Sequence, residues 1–188
     1  MLNEALRFLL DALLQPFAAI LLLRFHLQWL RAPMRNPLGE FVMTLTNFLV
    51  LRTRRFIPPV LGYDAASLLL AFLVEAAYLV AVLWAQGFPL VAFPLPGLLA
   101  LTAVKLLKLG LYLLMAALFA QAVLSWVNPY TPAAGLLNAV THRFLAPLRR
   151  IIPPLGNIDL TLLVLLILCQ LALIVPLGWL ESVAMKLL

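Results

Sequence analysis

Four long apolar stretches set the rhythm of this chain: Ala12–Trp29, Ala65–Gln86, Leu109–Val127 and Leu160–Leu180. A bilayer's hydrocarbon core takes about 20 helical residues to cross, and each stretch is of that order. Inside hydrocarbon every backbone amide must be satisfied within its own segment, so each stretch predicts a transmembrane helix. The first is the most interrupted, by Gln15, Pro16 and Arg24. Arg24 lies near its end, where a long side chain can snorkel to the headgroups. Glu4, Arg7 and Asp11 precede this stretch and no small-residue cleavage pattern follows it, so it is expected to be retained rather than removed as a leader.

The connections between spans carry their own periodicity. Leu38, Phe41, Val42, Leu45, Phe48 and Leu49 recur at helical spacing opposite Glu40, Thr44 and Asn47. Leu136, Leu137, Val140, Phe144 and Leu148 do the same opposite Asn138 and His142, with Pro147 predicted to end or kink the helix. Both loops therefore predict short amphipathic helices lying in the membrane surface, each followed by a basic turn. Residues 87–97, with Pro89, Pro94 and Pro96, read as a linker between a first half, 1–86, and a second, 98–188. Leu98–Lys108 is expected to be an interfacial approach to the third span.

Composition agrees with a lipid environment: 65% of residues are hydrophobic, 11% are charged, and mean hydropathy is +1.11. The excess of 13 Lys+Arg over 7 Asp+Glu lies in the connections, so anionic lipid is a better expected partner than nucleic acid. Arg31, Arg35, Arg52, Arg54 and Arg55 fall in one such connection and Arg143, Arg149 and Arg150 in another, against Arg7, Lys105, Lys108 and Lys186 on the opposite side. The positive-inside rule then puts both basic loops in the cytoplasm and both termini outside. Cys169 is the only cysteine, which excludes an internal disulfide and any paired-cysteine metal site.

The chain also repeats itself. A shift of 95 residues lays Arg54-Arg55-Phe56-Ile57-Pro58-Pro59 on Arg149-Arg150-Ile151-Ile152-Pro153-Pro154 and matches Pro37 with Pro132, Thr46 with Thr141 and Asp64 with Asp159. None of these identities is a leucine match of the kind that apolar composition gives freely. A shift of 97 aligns Trp29 with Trp126 and Arg24 with Gln121. Each half holds an even number of crossings, so the halves run in the same direction as tandem, parallel hairpins.

Several polar groups stand out. Asp64 and Asp159 follow the proline pairs and precede the second span of each half, where a carboxylate can cap the helix; Pro58, Pro59, Pro153 and Pro154 are given a structural role beside them. Glu75 lies eleven residues beyond Asp64, near the bilayer midplane, and its repeat counterpart is Gln170. It either forms an ion or proton path with Arg24, or locks the halves together through Gln170 or Gln121. Arg54, Arg55, Arg143, Arg149 and Arg150 either contact lipid or partner or serve only to fix topology. His26 and His142 offer a remote route to haem ligation, but no ligand spacing supports it. Ser125 has no His/Asp partner nearby, and no HExxH or phosphate loop occurs, so an enzyme is not expected.

The combination resembles the YggT family of bacterial membrane proteins, also called YlmG-like, with relatives in plastids. The second half carries Leu124-Ser125-Trp126-Val127-Asn128-Pro129, Leu145-Ala146-Pro147-Leu148-Arg149-Arg150-Ile151-Ile152-Pro153-Pro154 and Gly156-Asn157-Ile158-Asp159-Leu160. The first matches through Arg24, Trp29, Asn36-Pro37, Thr46-Asn47, Arg54-Arg55 and Asp64. Gln121 stands where the family often has an arginine, Thr141-His142 replaces Thr-Glu, and Asn157 replaces a glycine. The resemblance implies a non-enzymatic scaffold or assembly factor of the bacterial inner membrane, linked to division proteins or nucleoids, to osmotic tolerance, or to assembly of haem-carrying complexes. A small ion channel or transporter centred on Glu75 is the alternative. No cofactor is expected. The expected partners are anionic lipid and a membrane protein or a second copy of the chain.

Overall fold

The computed structural model describes residues 2–59, 62–88, 94–128, 131–152 and 159–188. Among these the chain is all-helical: α1 Leu2–Trp29, α2 Pro37–Thr53, α3 Ala65–Ala85, α4 Leu95–Val127, α5 Pro132–Ile151, α6 Leu160–Ile174 and α7 Pro176–Lys186. Among the described residues four units are long and apolar enough to cross a membrane: α1, α3, α4 and the α6–α7 pair. The protein is thus a multi-pass membrane protein built from two tandem hairpins, α1/α3 and α4/α6–α7, each with a shorter helix, α2 or α5, in its connection.

Capping explains where the helices start. Asn36 accepts from Gly39 N at 2.9 Å ahead of Pro37, and Thr131 accepts from Ala134 N at 3.3 Å ahead of Pro132. In both cases proline fills the first helical turn, where a missing N–H costs nothing. Asp64 and Asp159 cap α3 and α6, accepting from Ser67 N at 3.4 Å and Thr161 N at 3.0 Å.

Three elements differ from the sequence expectation. Residues 98–108 are no interfacial approach, because α4 runs unbroken for 33 residues from Leu95. At 1.5 Å per residue that is about 50 Å, well beyond a hydrocarbon core of about 30 Å, so the helix tilts or projects. Helix α5 continues through Pro147 to Ile151. The fourth span is broken at Val175, since Pro176 has no N–H to continue the ladder and its ring crowds the preceding turn.

Packing fixes the direction of the halves. Leu27 near the end of α1 and Ala32 just beyond it join Leu136 and Val140 of α5, with Ala117 in the second half of α4 packed against them. Leu79 near the end of α3 joins Leu98 and Leu101 at the start of α4 and Ala184 of α7. Helices α1 and α4 are therefore parallel, and one side of the molecule carries both arginine-bearing connections while the other carries both termini. At the terminal side, α4 approaches the end of the chain so closely that a Cβ on Gly97 would stand 2.4 Å from the Leu187 carbonyl oxygen.

Candidate functional site

On the arginine side each half closes on an arginine–aspartate clip. Arg54 follows α2, ten residues ahead of Asp64, and its guanidinium meets that carboxylate twice, Nε to Oδ1 at 3.2 Å and Nη2 to Oδ2 at 2.8 Å. Arg149, near the end of α5 and again ten residues ahead of its partner, reaches Asp159 Oδ2 through Nε at 3.1 Å and Nη2 at 2.7 Å. The clip ties the end of each connecting helix to the N-cap of the span that follows. Arg54 and Arg149, expected to reach lipid or a partner, are thus engaged within the chain.

The first clip is deeper. Arg24 of α1 is only 3% exposed; its Nη1 donates to Thr46 Oγ1 at 2.7 Å and Asn47 Oδ1 at 2.8 Å, and its Nε lies 3.5 Å from Asp64 Oδ2. Arg54 Nη2 also donates to Gln28 Oε1 at 3.3 Å, and the Ser67 hydroxyl donates to Asp64. Two arginines therefore share one carboxylate that is 2% exposed. In the second half Gln121 replaces Arg24 and its amide sits against Thr141 Oγ1, which also approaches Leu137 O at 2.9 Å. One hydroxyl proton cannot serve two acceptor oxygens. With that proton on Leu137 O, as Thr46 donates to Val42 O, the Gln121 amide presents its NH₂ to Thr141, the donor role that Arg24 plays in the first half.

Burial by itself would raise the Asp64 carboxyl. The hydrogen bonds from Arg54 and Ser67 and the Arg54 charge together outweigh it and hold the group below the ordinary carboxylate range. Asp159 is balanced in the same direction: burial raises it, and Thr161 and Arg149 overcome that.

The remaining arginines divide. Arg143 stacks its guanidinium over the Trp29 ring at 5.1 Å from the centroid, while Arg55 and Arg150 are exposed. Pro58 and Pro59 are exposed ahead of the first clip; Pro153 and Pro154 lie outside the described residues. His26 lies in α1 with Nδ1 2.8 Å from Leu22 O. His142 is exposed and stands two residues from both Val140 and Phe144, hence on the far side of α5 from the face that meets α1. Among the described residues no group of three or more potential metal ligands occurs.

Glu75 is 2% exposed, and neither Arg24, Gln121 nor Gln170 is its partner. Instead Gln15 of α1 donates to both of its oxygens, at 3.3 and 3.2 Å. One turn nearer the terminal side Tyr78 donates to Asp11 Oδ1 at 2.6 Å, completing a two-rung polar ladder between α1 and α3. Gln170 is exposed. Lys105, 2.6 Å from Glu181, and Lys108 both pair with Glu181 of α7. The sequence reading missed Gln15, treating it as a blemish in a span; its placement on one helical face with Asp11 was the available signal.

The CCB3/YggT family model matches residues 3–85 and again 100–180. Relatives include an uncharacterized protein of Pseudomonas aeruginosa, 36% identical over 162 residues, 85% of this chain and 82% of that protein. The uncharacterized protein YggT of Escherichia coli K12 is 32% identical over 166 residues, 88% and 85% of the two chains. An uncharacterized protein of Vibrio alginolyticus is 32% identical over 170 residues, 90% and 91%. No solved structure matches. With the family pattern matched once in each hairpin and the relatives aligned along most of their length, the chain belongs to the CCB3/YggT family.

Proposed function

We propose that the protein is a non-enzymatic scaffold or assembly factor of the bacterial inner membrane, with the arginine side in the cytoplasm and both termini outside. The carrying observation is the pair of clips. Each fixes a connecting helix to a span, so exposed Arg55 and Arg150 are displayed by a rigid frame instead of a mobile loop. Helix α2 adds Leu38, Phe41, Leu45 and Phe48, all exposed and at helical spacing, as an apolar stripe suited to lipid or a partner helix.

A channel centred on Glu75 finds less support. Glu75 is eight residues from Ser67, about 12 Å along α3. The layer between the ladder and the Arg24 cluster holds Ala18, Leu21 and Ala71, each fully buried, so apolar side chains separate the two polar groups along the α1–α3 interface. Crosslinking in native membranes, followed by purification of the full chain, tests the scaffold reading. Recovery of a stoichiometric membrane partner that is lost in the Arg55→Gln/Arg150→Gln variant supports it. Cation flux in vesicles that Glu75→Gln abolishes, with no partner recovered, overturns it.

A further inference from the structure

Between the two hairpins lies a groove of about 1190 Å³, larger than the pockets that hold drug-sized ligands. Its lining draws on α1, α3, α4, α5, the α6–α7 span and Leu38 of α2, and apart from His26 and the Trp29 indole every lining side chain is hydrocarbon or glycine. Along α4 it extends from Ala103 to Ala120, about 26 Å at 1.5 Å per residue, and so reaches beyond a single leaflet's share of the hydrocarbon.

His26 stands in the wall of this groove with Nδ1 donating to Leu22 O at 2.8 Å, so the neutral ring presents Nε2 as an acceptor. That edge of the ring packs toward Gly110 of the lining, where an added Cβ would meet Cε1 at 3.5 Å. The cation is at the rim. Arg143 lies over Trp29, a lining residue at the last position of α1, and among the described residues it has no carboxylate partner, unlike Arg54 and Arg149. A hydrocarbon trough with an arginine that lacks a carboxylate partner beside its Trp29 wall suits an anionic lipid.

We propose that this groove is a binding site for an anionic phospholipid, its acyl chains lying between the hairpins along Ala116, Ala117 and Ala120 and its phosphate against Arg143. A space of this size with apolar walls inside a bilayer fills with chains rather than water, since water there finds no polar partners. The arginine selects the headgroup. The lipid then fills the space between the two halves, so occupancy couples the hairpins. The inference rests on the headgroup-facing placement of the arginine side in the scaffold reading.

The test is native mass spectrometry of the full chain in mild detergent, titrated with phosphatidylglycerol or with phosphatidylcholine of the same acyl composition. One phosphatidylglycerol is expected to bind per chain, preferred over phosphatidylcholine by about fivefold, what one near-surface arginine contributes. Arg143→Gln removes the preference while leaving chain binding. Ala116→Trp, a change at an exposed wall position, removes binding of both lipids. The Arg55→Gln/Arg150→Gln variant retains the bound lipid even if it loses its partner, which separates this site from the scaffold reading. Equal binding of both lipids to the native chain, a preference unchanged in Arg143→Gln, or a groove occupied by a second copy, seen as a lipid-free dimer that Ala116→Trp dissociates, would each overturn the proposal.

Discussion

Asp64→Asn and Asp159→Asn make the same chemical change at repeat-equivalent positions, yet the structure demands very different costs. Asparagine can still cap the helix in both, so the cap itself contributes little to the difference. What changes is the charge balance. Asp64 is 2% exposed and is the carboxylate for both Arg24, 3% exposed, and Arg54. Removing its charge leaves Arg24 buried with only Thr46 and Asn47 as partners. Breaking a buried pair from one side costs about 3–5 kcal/mol, and the surviving hydrogen bonds place this case at the lower end. The Arg149 and Asp159 side chains are 38% and 31% exposed, and a pair this accessible is worth about 0–1 kcal/mol. Thermal unfolding of the detergent-solubilised chain, followed by tryptophan fluorescence, should therefore rank Asp64→Asn as severely destabilised and Asp159→Asn as near native. Adding Arg24→Gln to Asp64→Asn removes the stranded charge and should recover roughly 1–3 kcal/mol of coupling. Equal losses for the two aspartates, or no rescue by Arg24→Gln, would refute the assignment of Asp64 as the counter-charge of Arg24.

Other perturbations follow from the same geometry. Both aspartates have folded-state carboxyl pKa values below the unfolded value of about 3.9, so their contribution is complete above roughly pH 5 and is lost as pH falls through that value toward the folded one. An acid titration monitored by the same fluorescence should show a flat region near neutrality and a decline only below about pH 4, shallower in Asp64→Asn. Thr46→Val takes one acceptor from a buried guanidinium and should cost about 1–3 kcal/mol in unfolding experiments. Gly39→Ala would drive a Cβ to 2.2 Å from the Met34 carbonyl oxygen and should lower expression and thermal stability, whereas Gly135→Ala meets nothing within 4 Å and should gain about 0.5–1 kcal/mol from helix propensity. Glu75→Gln keeps a hydrogen-bonding partner for Gln15 and should leave vesicle ion permeability at the protein-free level.

The spans, the duplication and the capping aspartates were legible because each depends on local pattern: an apolar run, a matched motif, a carboxylate just ahead of a helix. The clips were only half legible. Arg54 to Asp64 and Arg149 to Asp159 share a ten-residue spacing, but charge counting treats every loop arginine as headgroup-facing and cannot say that a turn folds one of them back. The Gln15–Glu75 and Asp11–Tyr78 rungs depend on the register between α1 and α3, which neither helix encodes alone. Pro176 carried a local signal, yet span length by itself does not distinguish one straight helix from two that meet at a proline.

Register also explains why the two halves have diverged inside the membrane. Helix α3 is covered on one side by α1 and on another by α4, whose Leu98 and Leu101 pack with Leu79, so a side chain at position 75 is enclosed and can be paired. Among the described residues no further helix covers the corresponding face of α6. The repeat counterparts of Glu75 and Gln15 are Gln170 and Tyr112, and both are exposed, Tyr112 by 55%. A carboxylate facing lipid there would cost about 2.5–3.5 kcal/mol on insertion scales, while a neutral amide or phenol costs far less. The ionisable residue stands where the following hairpin shields it, and its neutral counterpart stands on an open face.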